Sequence, residues 1–369
     1  MSQHAELIAR TAAAIAPLDE GARAAAADRQ SMLTKPPGSL GRLEGVATRI
    51  ASMTGQPRPR LERRLIVVAA GDHGVTRQGV SAYPSSVTAQ MVANFLGGGA
   101  AISVLADHAG ARLRIVDAGL ATELPGGIDA AGEPRLVRLG LGAGTGDITR
   151  EPAMSHEVAE RAIAEGIAIF EAERAGEGVD IVGLGEMGIG NTTSASAIVA
   201  AVTGQAPRAV TGRGTGVDDA RFEAKVAAIE RALALHQPAP GDGVGLLASV
   251  GGFEIGVLAG LYLGAAAARV PAVVDGLISG AAALVAAAVE PRCIDYLVGS
   301  HRGSEPGHAA TLDWLGLEPL LDLDLRLGEG TGAALGISLC VAACRLLDEM
   351  ATFGEAGVDN ADGAVVPEG

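Results

Sequence analysis

Aromatic side chains are scarce: five Phe, three Tyr and one Trp make up 2% of the 369 residues. A core built without them is filled by aliphatic and small side chains, and the many Ala and Gly residues point to helices packed closely on a sheet. Cysteine is nearly absent too. Cys293, Cys340 and Cys344 form no paired framework, which excludes a disulfide scaffold; with no charged-then-apolar leader in residues 1–16, we expect a reduced, cytoplasmic setting. Cys340 and Cys344 stand four apart in an apolar helical stretch and read as core residues rather than metal ligands. Basic charge is in deficit, with 28 Lys and Arg against 43 Asp and Glu for a formal net charge of −15. That leaves no electrostatic footprint for nucleic acid or an anionic membrane surface. Glu254, Arg269 and Asp275 break the apolar stretch 245–289 into pieces shorter than the ~20 residues a bilayer requires, so buried helices and a strand are expected there and no membrane span. With 48% apolar residues, the chain still has ample material for one large core or two domains.

Against those absences one short run stands out. Residues 328–332 read Gly-Glu-Gly-Thr-Gly, and the same Gly-x-Gly-Thr-Gly frame recurs at 142–146 around Ala143 and at 212–216 around Arg213. Only the copy at 328–332 puts a carboxylate in the variable slot. Flanking glycines permit positive φ and close approach of a ligand to the main chain, which makes Glu329 a presented group and the first candidate for chemistry. The competing reading is a helix N-terminal turn, with Thr331 capping the apolar run 333–347 and Glu329 serving the helix dipole.

An Ala-rich helical pattern covers residues 5–30, and the prolines of Lys35-Pro-Pro-Gly-Ser-Leu40 enforce a loop after it. Apolar runs at 65–70, 114–117, 180–185 and 270–276 end in, or stop directly before, Gly or Asp and read as buried strands running into loops. Helical spacing lies between them, as in Val158, Ala162, Ile163, Ile167 and Phe170. The alternation predicts an α/β fold: a mostly parallel, Rossmann-like sheet with helices on both faces, plus a smaller helical domain from the N- and C-terminal segments. We expect residues 1–60 and 329–352 in the helical domain, 61–328 in the α/β domain and 353–369 as a mobile tail. Ligands of such sheets sit beyond the carboxyl ends of the strands, where these glycine loops fall.

Gly183, Gly185 and Gly188 satisfy a dinucleotide fingerprint by spacing, yet residues 204–212 offer no acid for the ribose hydroxyls, which argues against a nicotinamide cofactor. Gly190-Asn191-Thr192-Thr193 instead opens a helix whose backbone donors suit a single phosphate. Glu186 would face the same cavity, or else make an ion pair or cap. His301, Glu305 and His308 have spacing suggestive of a metal, but Pro306 and Gly307 oppose a continuous helix across them; no metal and no cofactor are expected. Ser300 beside His301 invites a hydrolase reading, and the chain holds no Gly-x-Ser-x-Gly elbow. Asp72 and His73 are either functional or a structural pair.

Taken together these segments resemble the nicotinate-nucleotide:dimethylbenzimidazole phosphoribosyltransferase family of cobalamin assembly. The resemblance rests on Lys35-Pro-Pro-Gly-Ser-Leu-Gly-Arg-Leu-Glu44, Gly71-Asp-His-Gly74, Gly79-Val-Ser-Ala-Tyr-Pro84 with Val87-Thr-Ala-Gln90, Gly185-Glu-Met-Gly-Ile-Gly-Asn-Thr-Thr193, Gly212-Arg-Gly-Thr-Gly216, Ser300-His-Arg302 with Glu305-Pro-Gly-His308, and Arg326-Leu-Gly-Glu-Gly-Thr-Gly332. One departure is visible: the pattern expects a serine directly after Ser-His-Arg, where this chain has Gly303 and then Ser304.

The resemblance implies transfer of the 5-phosphoribosyl group of nicotinate mononucleotide to 5,6-dimethylbenzimidazole, giving α-ribazole phosphate and nicotinate. Glu329 falls at the catalytic carboxylate and takes the proton of the attacking azole, helped by an apolar wall that lifts its pKa; Glu186 falls at the second acidic position. By the same analogy the base lies near Ser81, Tyr83 and Gln90. The nucleotide lies among Gly188, Gly190, Asn191 and Thr192, with Lys225 as a cation, Asp275 near the ribose, and Ser300 and Ser304 near the nicotinate end. Lys225 has the alternative of an exposed helix residue and Asp275 that of a turn cap. The resemblance further implies a metal-free, inverting displacement by a homodimer. Two rivals stay open: the same transferase with a different azole, purine or phenolic acceptor, and a nucleotide-binding protein without turnover.

Overall fold

The computed structural model of the chain describes residues 2–125, 135–214 and 216–359. Six strands, β1 (Arg64–Gly71), β2 (Ala111–Gly119), β3 (Leu136–Arg138), β4 (Ile181–Met187), β5 (Ala272–Val274) and β6 (Leu297–Gly299), form one sheet in the order β3-β2-β1-β4-β5-β6. Every pairing is parallel. Burial on both faces explains why β1, β4 and β5 read as continuous apolar runs instead of alternating ones. The expected α/β, Rossmann-like architecture is therefore what the chain adopts. Strands β3 and β6 were not anticipated: each is three residues long and at a sheet edge, too short to show a periodicity of its own.

One face of the sheet is covered by Phe253–Ala267 and Leu277–Val289, with His156–Gly176 packed on the outer side of Phe253–Ala267. Phe253–Ala267 is buried on every side. It lies so close to its neighbour that a side chain on Gly260 would stand 2.9 Å from the Cα of Gly166, so these two glycines set the interhelical distance. The opposite face carries Thr331–Glu349 and Ala101–His108.

The N-terminal pattern at 5–30 is two helices, Gln3–Ala14 and Glu20–Met32, separated at Pro17, with Asp19 capping the second through the Ala22 N–H at 2.8 Å. They diverge: Gln3–Ala14 packs on His156–Gly176, whereas Glu20–Met32 and Arg42–Thr54 pack on Thr331–Glu349. The latter three share a small cluster of Ala26, Ala47, Ala51, Ala343 and Leu347. Arg29 closes the far end of Thr331–Glu349, its Nε donating to the Leu347 carbonyl at 2.7 Å and its Nη2 to those of Asp348 and Met350 at 3.2 Å. Of the segment expected as a tail, Phe353–Ala356 forms a short helix with a capping box from Thr352 and Glu355, and residues 360–369 lie outside the described residues, as does Thr215 of the second glycine frame.

Candidate active site

The strand order reverses between β1 and β4, and the crevice at such a switch point is where open α/β sheets bind ligands. A cavity of about 470 Å³ lies there, in the size range of small-molecule sites. Its wall combines the end of β4 and the helix start beyond it (Glu186, Gly188, Asn191, Thr192), the loop after β6 (His301, Ser304, Glu305) and the run from Leu325 to Glu329. Tyr83, Val87, Met91, Leu277 and Ile278 supply apolar surface.

Three consecutive residues, Gly328, Glu329 and Gly330, have φ of +81°, +63° and +86°. For glycine the left-handed region is free; for Glu329 it costs roughly 1–3 kcal/mol, a strain the surroundings must hold. They hold it from two sides. The Glu329–Gly330 peptide lies directly on Gly185 of β4, where any side chain would collide with it. Asp275, at the end of β5, accepts hydrogen bonds from the N–H groups of Gly330 (3.1 Å) and Ala333 (2.9 Å). Asp275 is thus the acid that caps Thr331–Glu349. Thr331, expected to cap that helix, is its first residue and donates its hydroxyl back to the Gly328 carbonyl at 2.8 Å. Glu329 is 7% exposed, and its Oε2 is buried without a hydrogen-bond partner among the described residues. Burial first, and then the charge of Asp275, push its pKa up to about 7.

Glu186 is also 7% exposed. The Asn191 amide donates to its Oε2, and its Oε1 rests against Gly328. Burial, followed by Glu254 and Asp275, pushes its carboxyl up to about 8 against the lowering effect of Asn191. Two carboxyl groups with raised but different pKa values, meeting at one cavity, are an arrangement for acid and base work near neutrality. Burial likewise pushes Asp275 up and His301 down, each opposed by the other's charge. His308 falls to about 3, through burial first, and so stays neutral. Its Nδ1 accepts from the Gly303 N–H at 3.1 Å, and the ring lies 2.6 Å from where a side chain on Gly303 would begin. The glycine that departs from the expected serine is therefore matched to the imidazole beside it. Although Pro306 precludes a helix running back to His301, it serves as the first residue of Pro306–Leu315 and leaves His308 in that helix's first turn.

On the β4 side, Asn191–Thr203 begins at Gly190 with no side-chain cap; the Asn191 and Thr193 N–H groups turn back to the Gly188 (3.1 Å) and Gly190 (3.0 Å) carbonyls, and the helix presents the positive end of its dipole at the cavity through Asn191 and Thr192. Lys225 is 1% exposed and donates to the Thr192 hydroxyl (2.9 Å) and the Gly212 carbonyl (3.1 Å); its alternative as an exposed helix residue is excluded. Burial pushes its pKa down to about 8.

Of the residues singled out from sequence, Glu329, Glu186, Tyr83, Gly188, Asn191, Thr192 and Ser304 line the cavity. Gly190, Lys225, Asp275 and Ser300 stand behind that wall, Ser300 bonded to the Asp275 carbonyl (3.3 Å) and to His301 Nδ1 (2.9 Å). Gln90 is exposed and Ser81 half-buried, accepting from the Tyr83 N–H at 3.2 Å, and neither reaches the wall in this conformation. Glu254, absent from the sequence candidates, is buried and lies 2.7 Å from His73 Nε2, the kind of partner an acidic side chain in an apolar run needs.

A family model described as phosphoribosyltransferase matches residues 15–358. The nicotinate-nucleotide–dimethylbenzimidazole phosphoribosyltransferase of Chloroflexus aggregans is 58% identical over 352 residues, covering 95% of this chain and 98% of that protein. The protein of the same name from Roseiflexus sp. is 58% identical over 352 residues with the same shares covered, 95% and 98%. A crystal structure of nicotinate-nucleotide–dimethylbenzimidazole phosphoribosyltransferase from Thermus thermophilus superposes with a TM-score of 0.86 at 45% identity, over 93% of this chain and 100% of that one.

Proposed function

The chain belongs to the nicotinate-nucleotide–dimethylbenzimidazole phosphoribosyltransferase family, and from that premise we propose how its residues divide the work. The enzyme transfers the 5-phosphoribosyl group of nicotinate mononucleotide to 5,6-dimethylbenzimidazole, releasing nicotinate and forming α-ribazole 5'-phosphate, a step of cobalamin biosynthesis. The phosphate is held at the positive end of Asn191–Thr203, beside the Thr192 hydroxyl, with Lys225 behind Thr192 supplying positive charge. The azole enters between Glu329 and the apolar side chains of Tyr83, Val87 and Met91.

One azole nitrogen attacks the anomeric carbon as the bond to the pyridinium nitrogen breaks, its electron pair staying on the ring that leaves as neutral pyridine nitrogen. The N–H of the other azole nitrogen turns acidic as the bond forms, and Glu329 takes that proton. Attack from the face opposite the leaving group inverts the β-nucleotide to an α-product. Glu186, carrying its proton near neutrality, adds no second negative charge beside Glu329 and donates a hydrogen bond into the site.

The observation that carries this reading is Glu329 itself, a strained, buried and raised carboxylate fixed at the cavity wall. The test is to mix the protein with nicotinate mononucleotide and dimethylbenzimidazole and identify both products, in wild type and in Glu329→Gln. Loss of about 10²–10⁴ in kcat is expected for the variant; full activity in it would remove Glu329 from the chemistry. Repeating the assay with adenine and phenols separates the acceptor alternatives. We place the protein in the cytoplasm, with no membrane span, as a homodimer. Tyr83 and Leu327, half exposed at the cavity's rim, support a second copy covering that edge, and light scattering decides it.

A further inference from the structure

The cavity wall follows the order of the sheet. Tyr83 and Met91 belong to the segment after β1, Glu186 lies in β4, Leu277 follows β5, and Ser304 and His308 follow β6. The helix that carries Met91, Ser86–Leu96, packs on β1 and β2. Strands β1 and β6 are three places apart in the sheet, a span of about 14 Å at the usual strand spacing. An in-line displacement sets the entering and leaving rings on opposite sides of the sugar. With the azole on the β1 side, the pyridine ring of nicotinate mononucleotide lies on the β6 side, and its carboxylate needs a partner there.

Little on that side welcomes an anion. The acidic side chains on the wall are Glu186, Glu305 and Glu329. The imidazoles do not offset them, because burial leaves His308 neutral and pushes the pKa of His301 down as well. Lys225 stands behind Thr192, with the phosphate. Of the Lys and Arg side chains among the described residues, Arg326 alone lines the cavity. Its place along the wall follows from the backbone. The Ser304 N–H donates to the Leu325 carbonyl at 3.4 Å, so the run that leads to Glu329 starts against the loop after β6, and Arg326 is the next residue. From there the run crosses to β4, where the Glu329–Gly330 peptide lies on Gly185.

Arg326 is also without a partner. Its side chain is exposed and makes no hydrogen bond or ion pair among the described residues. Acids are at hand in the same run, yet Asp322 goes to Arg302, at 3.6 Å. A planar fork of donors with a permanent positive charge is thus left open at the cavity. Such a fork matches both oxygens of a carboxylate, whereas a carboxamide offers it one acceptor and no charge.

We propose that Arg326 binds the ring carboxylate of nicotinate mononucleotide and is the residue by which the enzyme selects this nucleotide over the one carrying nicotinamide. Each cation then serves one anion of the substrate, Lys225 the phosphate and Arg326 the carboxylate. This inference rests on the positions given above to the azole and the phosphate.

The test is calorimetric titration without azole, so that no turnover occurs, of nicotinate mononucleotide and nicotinamide mononucleotide into wild type, Arg326→Met and Arg326→Lys. Methionine keeps an apolar stem and removes the charge; lysine keeps the charge and loses the fork. Wild type is expected to bind the nicotinate nucleotide about 10- to 100-fold more tightly than the nicotinamide one. In Arg326→Met that preference should vanish through weaker binding of the nicotinate nucleotide alone, with the nicotinamide nucleotide held within about threefold, and Arg326→Lys should recover part of it. An unchanged preference in Arg326→Met overturns the proposal. So does an equal loss for both nucleotides, which would assign Arg326 to the phosphate. If wild type binds neither nucleotide, the transferase reading falls as well; if it binds them with a preference that Arg326→Met leaves intact, only the role of Arg326 fails.

Discussion

Alanine at Gly185 adds a single methyl group to β4, yet it is aimed at the one peptide that carries the proposed base. The methyl carbon would lie 2.5 Å from the Glu329 carbonyl oxygen and closer still to the carbonyl carbon and the Gly330 nitrogen, where ordinary contact begins at 3.4 Å. All three are backbone atoms, so no rotamer change relieves the clash, and the loop must lift by about 1 Å. Asp275 resists the lift through its bonds to Gly330 and Ala333, which makes the displacement strained as well as large. Overpacking of this kind costs about 1–3 kcal/mol of stability, and a 1 Å misplacement of a reacting group costs about 10² in kcat. The assay is nicotinate release under saturating nucleotide and azole, with denaturant unfolding on the same samples. We expect kcat to fall about 100-fold, KM for the nucleotide to hold within a few-fold, and the fold to survive. Because the damage passes through Glu329, combining Gly185→Ala with Glu329→Gln should cost little more than Glu329→Gln alone. Multiplicative losses in the double variant, or an unchanged kcat in the single one, would refute the reasoning.

The raised carboxyl of Glu186 also makes stability depend on pH. The folded state holds this proton up to about pH 8, whereas the unfolded chain releases it near 4.5, so folding takes up a proton in that window and wild-type stability falls as pH rises through it. Glu186→Gln lacks that term, and chemical denaturation should show its advantage over wild type growing by a few kcal/mol between pH 4.5 and 8.5; a constant difference would count against the burial of the charge. Glu329→Gly relieves the left-handed strain and removes an unpaired buried oxygen, so the inactive protein should be about 1 kcal/mol more stable than wild type in urea. Lys225→Met should raise KM for nicotinate mononucleotide about 10- to 100-fold with little change for the azole. Because burial lowers Lys225 to about 8, initial-rate kinetics on wild type should already show a weaker grip on the nucleotide at pH 9 than at pH 7.

Four of the six strands are legible in the sequence because a strand buried on both faces is an apolar run, and a turn after it needs Gly or Asp. The edge strands β3 and β6 are not, since three residues carry no period. Glu329 and Glu186 could be found because glycine-rich loops hide little: a carboxylate there has few structural duties. Asp275 shows the limit. The family resemblance sets it near the ribose, with a turn cap as the alternative, and only the tertiary arrangement reveals that its oxygens hold the amides at the start of another helix. Gln90 and Ser81 followed from family analogy, and the cavity as it stands does not draw them in. Glu254 was used in the sequence only to interrupt a hydrophobic stretch, because pairing between residues 181 positions apart, His73 with Glu254, leaves no local trace.

Helix Thr331–Glu349 is a strut about 28 Å long, bolted by Asp275 at one tip and by Arg29 at the other. Each bolt matches the partial charge of the end it holds. Both ends of the rod are thus fastened from outside it, the tip beside Glu329 by a strand-end carboxylate and the far tip by a guanidinium of Glu20–Met32. The loop that carries the reactive carboxyl therefore leads into an anchored helix and not into a fraying one.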